Sequence, residues 1–172
     1  MASRTSSRGA PAFGSSSLKQ RYLLAYNALS CFLWTIITLR TIVLIPILLP
    51  ENKIYLAHQH LFSPLLIFTQ SLAILEVFHA ILGLVRASPV TTFIQVASRY
   101  LVVWFVVYMF PEVVVGKPFP GGFGRLSGGS LWGQWAFVGC LCAWGVTEVI
   151  KYGFFVAQLG LGGAPNWLNW LR

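Results

Sequence analysis

Long apolar stretches, separated by short polar or Gly/Pro-rich connectors, dominate this sequence. A helix that crosses a lipid bilayer needs about 20 mostly apolar residues. Four stretches reach that length: residues 22–49, 64–85, 90–110 and 131–159. Charged residues make up only 9% of the chain, whereas they make up about a quarter of a soluble domain. The sequence therefore predicts an all-α membrane protein, a multi-pass helical bundle whose four spans lie within residues 22–172.

The basic residues set the expected orientation of this bundle. The chain has 12 Lys and Arg but only 4 acidic residues, which gives a net charge of +8. A basic excess also suits nucleic-acid binding, but these residues are scattered and many stand at the ends of apolar stretches, which favours lipid headgroups. Residues 1–21 are polar and rich in Ser, Gly and Ala, and are predicted to form a disordered tail. This tail is basic and lacks acidic residues, so the positive-inside rule places the N-terminus in the cytosol; its basic residues are Arg4, Arg8, Lys19 and Arg21.

The cysteines and the connectors show no motif for a metal or a nucleophile. No cysteine has the spacing of a zinc site, and none is followed six residues later by the arginine of a cysteine-phosphatase loop. Ser88 is expected to cap the third helix, and Pro89 to occupy its first turn. The Gly/Pro-rich residues 111–130 form either a plain connector, which we favour, or a cover over an active site. Packing is the expected role of the three cysteines, Cys31, Cys140 and Cys142.

Scarce polar side chains lie within the apolar stretches, on the half expected to face the cytosol. At a rise of about 1.5 Å per residue, Glu76 falls near mid-membrane and Glu148 a little past the middle of the last stretch. An unpaired charge at the bilayer centre costs about 2.5–3.5 kcal/mol on insertion scales. We therefore expect Glu76 and Glu148 to face Arg99, and Glu148 also to reach Lys151 along its own helix. The predicted polar pocket comprises Glu76, His79, Gln95, Arg99, Glu148, Lys151 and Tyr152.

The same side chains also suit a purely structural role. Intramembrane polar groups can lock helices together through hydrogen bonds worth about 0.6 kcal/mol each. Lys151 and Arg86 can instead extend toward the headgroups. A small transporter is an alternative function, although the half of the membrane away from the cytosol is nearly bare of polar residues. The structural interpretation is the simpler one for each of four residues taken singly, Asn27, Ser30, Gln95 and His79. Tryptophans are expected to anchor the chain at the membrane interface, namely Trp132, Trp135, Trp167 and Trp170.

Three blocks, in this order, resemble one enzyme family. They are YLLAYNALSCFLW at residues 22–34, LEVFHAILGLVRASPVTTFIQVASR at residues 75–99, and WGVTEVIKY at residues 144–152. Together they resemble the very-long-chain (3R)-3-hydroxyacyl-CoA dehydratases, also called the protein tyrosine phosphatase-like A family. Lys151 stands where the family commonly has arginine. The other matching positions are Tyr26, Asn27, Ser30, Trp34, Glu76, His79, Gly83, Arg86, Ser88, Gln95, Ser98, Arg99, Trp144, Thr147, Glu148 and Tyr152.

The resemblance implies an endoplasmic reticulum membrane enzyme of fatty acid elongation. Such an enzyme removes water from a very-long-chain (3R)-3-hydroxyacyl-CoA to give trans-2-enoyl-CoA, the third step of each elongation cycle. The implied partners are the condensing enzyme and the two reductases of that cycle. The resemblance implies neither a metal nor an organic cofactor.

The sequence departs from the family pattern at its C-terminal end. The family has six spans, and its catalytic tyrosine and glutamate belong to a Tyr-Pro-x-Gly-x-x-x-Glu motif on the last two. No such motif occurs up to Arg172, so no catalytic residue is assigned within this sequence. The polypeptide as it stands is predicted to be inactive, and a longer parent to be the dehydratase. A non-catalytic membrane adaptor of the elongation enzymes is the alternative within this family.

Overall fold

Helices make up all the regular structure in the described part of the chain. A computed structural model describes residues 16–48, 65–109 and 131–171. The predicted all-α class is confirmed for these residues. In chain order the elements are α1 Ser16–Leu48, α2 Leu65–Leu72, α3 Ile74–Ile81, α4 Pro89–Tyr100, a π-helix Leu101–Tyr108, α5 Leu131–Gly160 and α6 Asn166–Leu171.

The first helix begins earlier than the sequence predicted. It starts at Ser16 rather than at Tyr22, so the last part of the predicted disordered tail is helical. Gln20 Nε2 donates a hydrogen bond to the carbonyl of Leu159, near the end of α5, at 2.9 Å. Such a long-range contact stabilises a segment that its own composition marks as disordered. The rest of the predicted tail, residues 1–15, lies outside the described residues.

The second predicted stretch, residues 64–85, is divided into α2 and α3 and ends early. Gly83 has a positive φ of 65°. Its N–H donates to the carbonyl of Ala80 at 3.2 Å, and the N–H of Leu84 donates to His79 at 2.8 Å. This is the Schellman arrangement, in which a left-handed glycine terminates a helix. The glycine is therefore the local signal for a helix end inside a stretch that stays apolar.

The third predicted stretch, residues 90–110, consists of α4 and the π-helix. Pro89 occupies the first turn of α4 as predicted, and Ser88 precedes it with an extended backbone. The predicted side-chain cap is wrong, because the Ser88 hydroxyl makes no capping hydrogen bond. Its carbonyl instead accepts hydrogen bonds from Thr92 N and Oγ1 at 3.0 and 2.9 Å. The fourth predicted stretch, residues 131–159, coincides with α5.

Two helical segments have the length and apolarity needed to cross a membrane. Leu18–Leu48 and Trp135–Gly160 meet both conditions by length and composition alone, whereas Leu65–Ile81 is apolar but shorter. Large apolar side chains such as Phe32, Leu39 and Phe93 remain exposed on the outer faces. Apolar surface of this extent marks contact with lipid or with another protein.

Helices α1 and α5 form a closely packed antiparallel pair. Gly145 of α5 faces Thr38 of α1, and the Cys31 thiol donates to the carbonyl of Val149 at 3.8 Å. A Cβ on Gly145 would overlap the Thr38 hydroxyl, which is itself bonded to the carbonyl of Trp34 at 2.7 Å. Glycine therefore permits a close approach, as small residues do between membrane helices. The pair shares a buried core with α2 and the π-helix, made of Tyr26, Trp34, Ile37, Leu66, Val103, Phe137, Leu141 and Tyr152.

Replacing Gly145 by alanine is expected to lower the melting temperature of the protein in detergent micelles. The added methyl group overlaps Thr38 and pushes α1 and α5 apart, at a cost of about 1–3 kcal/mol. Gly139→Ala is the matched control, because a Cβ at this position of the same helix meets nothing within 4 Å. Both substitutions gain the same helix propensity, so equal melting temperatures for the two variants would contradict the close approach.

Candidate functional site

Glu148 is a buried carboxylate of α5 that contacts two cations. The residue is 2% exposed. Arg99 Nη1, from α4, lies 2.5 Å from Oε1, and Lys151 Nζ, one turn along α5, lies 2.9 Å from Oε2. The second contact is an ion pair without hydrogen-bond geometry, so Oε2 has no hydrogen-bond partner in the described part of the chain. Both ion pairs predicted for Glu148 are present.

Glu76 of α3 joins the same group of charges through a different partner from the one predicted. Lys151 Nζ donates to Glu76 Oε1 at 2.8 Å, and the Tyr152 hydroxyl donates to the same oxygen. The predicted contact of Glu76 with Arg99 is wrong, because Arg99 reaches α5 at Glu148 while α3 faces the next turn of α5. Lys151 thus bridges two carboxylates. We call Glu76, Arg99, Glu148, Lys151 and Tyr152 the ionic cluster.

Two tyrosines of α1 enclose His79, which is buried next to the ionic cluster. His79 Nε2 lies 2.8 Å from the Tyr22 hydroxyl. The ring of Tyr26 meets the imidazole edge-on with centroids 4.8 Å apart, and it meets Tyr152 in the same way at 6.3 Å. The Tyr26 hydroxyl donates to the carbonyl of Leu72 at 3.1 Å. Sequence reasoning missed the role of Tyr22, although its spacing of four from Tyr26 places both tyrosines on one helix face.

Gln95 is the predicted pocket residue that the structure does not bring to the ionic cluster. It shares a helix face with Arg99 but lies one turn closer to the start of α4, where its side chain is exposed. Val90, Phe93 and Ile94 in the same turns are also exposed. In the described part of the chain, this side of the first turns of α4 is therefore not covered by a neighbouring helix, so a shared face with Arg99 is not enough to bury Gln95.

Several buried polar groups lack hydrogen-bond partners within the described residues. They are the Ser30 hydroxyl, both amide atoms of Gln70 and the Trp104 indole N–H. Leaving such a group unpaired costs about 1–3 kcal/mol. Asn27, by contrast, is satisfied, since its Nδ2 donates to the carbonyl of Leu23 at 2.7 Å. Sequence reasoning missed Gln70 and Trp104, and an amide at the centre of an apolar stretch was the available signal for Gln70.

The ionic cluster suits the positioning of a bound polar group. Two carboxylates and two cations give it a formal charge of zero, and its members come from α3, α4 and α5. Among the residues that the structure describes, no three His, Cys, Asp or Glu side chains are placed to hold a metal ion. Fixed charges of both signs in a water-poor interior can orient a polar substrate group.

Glu148→Gln is expected to destabilise the folded chain by about 3 kcal/mol, near the lower end of the range for breaking a buried ion pair. The amide keeps the shape of the side chain but leaves Arg99 and Lys151 without its charge. The measurement is the melting temperature in detergent micelles. Gln158→Ala changes an exposed residue of the same helix and is expected to cost less than about 0.5 kcal/mol. Equal melting temperatures for the two variants would mean that Glu148 does not hold Arg99 and Lys151.

Comparison with known proteins identifies one family. The sequence model described as protein tyrosine phosphatase-like protein, PTPLA, matches residues 70–172. A Schizosaccharomyces pombe protein named probable very-long-chain (3R)-3-hydroxyacyl-CoA dehydratase is 39% identical over 155 residues, 90% of this chain and 64% of that protein. A Caenorhabditis elegans protein named as such a dehydratase is 34% identical over 155 residues, 89% of this chain and 60% of the relative. No solved structure matches the chain.

The family match includes every residue of the ionic cluster. It extends over α3, α4 and α5 and covers more than half of the chain. The chain itself spans 64% and 60% of the lengths of the two relatives. It therefore belongs to the protein tyrosine phosphatase-like (PTPLA) family.

Proposed function

We propose that the protein containing this chain dehydrates very-long-chain (3R)-3-hydroxyacyl-CoA to trans-2-enoyl-CoA. The observation that carries the proposal is the similarity, over 90% of the chain, to a Schizosaccharomyces pombe protein named for this activity. The Caenorhabditis elegans relative is named for the same activity. The proposed enzyme is a hydro-lyase that acts in the third step of fatty acid elongation.

The proposed reaction requires two proton transfers. A base removes a proton from C2, and the electron pair left behind forms the C2–C3 double bond. The hydroxyl leaves C3 as water after an acid has protonated it. The family resemblance assigns these roles to the Tyr-Pro-x-Gly-x-x-x-Glu motif, which does not occur up to Arg172. We therefore assign positioning roles to the residues of this chain.

The ionic cluster and His79 form the proposed wall of the substrate pocket. Support comes from the burial of His79, Glu148 and Tyr152 among apolar helices and from the zero formal charge of the cluster. A neutral wall can adjoin an acyl chain without drawing in free counter-ions. Its fixed carboxylates and cations can hold the polar end of the acyl group while the chain extends along apolar side chains. Gln95 is excluded from this wall because it is exposed.

The proposed enzyme lies in the endoplasmic reticulum membrane with four spans in this chain and a cytosolic N-terminus. The two long apolar helices support the membrane location. Lys19, Arg21 and Arg86 are exposed at the end of the bundle where α1 begins and α3 ends, and Lys19 Nζ lies 3.4 Å from the carbonyl of Gly83 there. Basic residues favour the cytosolic side of a membrane. The anionic CoA headgroup would approach from this basic end.

The family resemblance implies the partners, and the chemistry of the proposed substrate and product is consistent with them. A 3-hydroxyacyl-CoA arises by reduction of a 3-oxoacyl-CoA, which a condensing enzyme supplies. The double bond of trans-2-enoyl-CoA is then reduced in the last step. The proposed partners are therefore the condensing enzyme and the two reductases of the elongation cycle.

The direct test is a chimera that continues this chain, after Arg172, with the segment of the Schizosaccharomyces pombe relative that follows the matched region. Membranes containing the chimera are expected to form trans-2-enoyl-CoA from (3R)-3-hydroxyacyl-CoA, measured by mass spectrometry. Arg99→Ala in the chimera is expected to lower kcat/KM by about 10–100-fold, because small misplacements of a bound substrate have effects of this size. Gln158→Ala is the matched control. A chimera that is folded and inserted but forms no enoyl product would refute the proposal.

A further inference from the structure

Buried polar groups without partners occur on three elements that meet in the bundle. Ser30 belongs to α1, Gln70 to α2 and Trp104 to the π-helix. Ser30 and Gln70 are 2% and 1% exposed, respectively. Buried polar groups in native proteins are nearly always hydrogen-bonded, so each of these three groups calls for a partner.

Helix register places Ser30 and Gln70 at about the same level of the bundle. The contacts of Tyr22 and Tyr26 show that α1 runs antiparallel to α2 and α3. The Tyr26 hydroxyl donates to the carbonyl of Leu72. Tyr26 lies one turn before Ser30 on α1. Gln70 precedes Leu72 by about half a turn on α2. Because the two helices are antiparallel, Ser30 and Gln70 lie at the same level to within about one helical pitch.

Trp104 lies at about this level and packs against the same buried core as Tyr26 and Trp34. The Tyr100 hydroxyl donates to the carbonyl of Ser71, the residue after Gln70, at 2.9 Å. Trp104 follows Tyr100 by about one turn, within the π-helix. Wide π-helical turns are rare in proteins and occur frequently at functional sites.

The chemistry of the three side chains defines the group they can bind. The amide of Gln70 and the hydroxyl of Ser30 can each donate and accept a hydrogen bond, whereas the indole of Trp104 can only donate. None of them carries a charge. Their surroundings are apolar, with Trp34, Ile37, Leu66 and Val103 almost fully buried nearby. The matching ligand is a neutral group that both donates and accepts hydrogen bonds and is attached to an apolar chain.

We propose that Gln70, with Ser30 and Trp104, forms a subsite that binds the hydroxyl group of a hydroxylated acyl chain. The inference rests on the proposed function, and it makes Gln70 the residue that distinguishes a 3-hydroxyacyl thioester from the saturated acyl thioester. The subsite is closed to bulk water. A hydroxyl group can therefore reach it when it is carried by an acyl chain that moves among the apolar helices. The ionic cluster lies close to the subsite. Tyr26, one turn before Ser30 on α1, meets the ring of Tyr152, which belongs to the cluster.

The test compares the binding of two ligands to the purified chain in detergent micelles, a (3R)-3-hydroxyacyl-CoA and the saturated acyl-CoA of the same length. The wild-type chain is expected to prefer the hydroxylated ligand, and Gln70→Leu to reduce that preference about tenfold, since a lost hydrogen bond has an effect of this order. Gln70→Leu removes two unpaired buried atoms, so its melting temperature is expected to equal or exceed that of the wild type. Ser30→Ala is expected to weaken the preference in the same direction.

Gln158→Leu makes the same chemical change at an exposed position of α5 and is expected to leave the preference intact. Three results would overturn the subsite: no preference in the wild-type chain, an unchanged preference in Gln70→Leu, or a lower melting temperature for that variant, which would mean that Gln70 has a partner within the protein. Binding is measured without turnover. A chimera that dehydrates its substrate while Gln70→Leu keeps the preference therefore refutes the subsite and not the proposed function.

Discussion

The pairing of charges around the buried Glu148 is the constraint on which the rest of this structure depends. Glu148 is held by Arg99 from α4 and by Lys151 from its own helix, and Lys151 continues to Glu76 of α3. A carboxylate or ammonium group left alone among apolar helices would cost several kcal/mol. The three helices that carry these groups must therefore meet at one level, and the Tyr152 hydroxyl joins them by donating to Glu76.

Side-chain size and hydrogen bonding specify the remaining contacts. Within lipid, apolar surface gains little by leaving one apolar environment for another, so helices associate through close packing and polar contacts. Gly145 gives α1 and α5 a close approach at Thr38, and Tyr22 and Tyr26 connect α1 to α3 around His79. A buried ion pair adds little net stability compared with apolar side chains. We therefore attribute to the ionic cluster the choice of which helices meet rather than the overall stability.

The sequence predicted the helices and part of the site. The same physical reasons explain which predictions were wrong or missed. Apolar length identifies helices, and the scarcity of charge identifies which side chains need partners, so the contact of Glu148 with Arg99 was predictable. The partner of Glu76 was not, because it depends on how one helix is rotated against another. The same relation decides that Gln95 is exposed although it shares a helix face with Arg99. Gln70 was missed because a neutral amide in an apolar stretch looks like a packing residue until its hydrogen bonds are examined.

The most direct test of charge pairing is a double-mutant cycle on Arg99 and Glu148 with melting free energies as the readout. Glu148→Met leaves Arg99 without its carboxylate, and Arg99→Met leaves Lys151 to pair with Glu148, whereas the double variant replaces the Arg99–Glu148 pair with apolar side chains. Pairing predicts that the double variant is more stable than the sum of the single effects by about 1–3 kcal/mol. If the two single effects simply add, Arg99 and Glu148 do not interact, and charge pairing does not decide which helices meet.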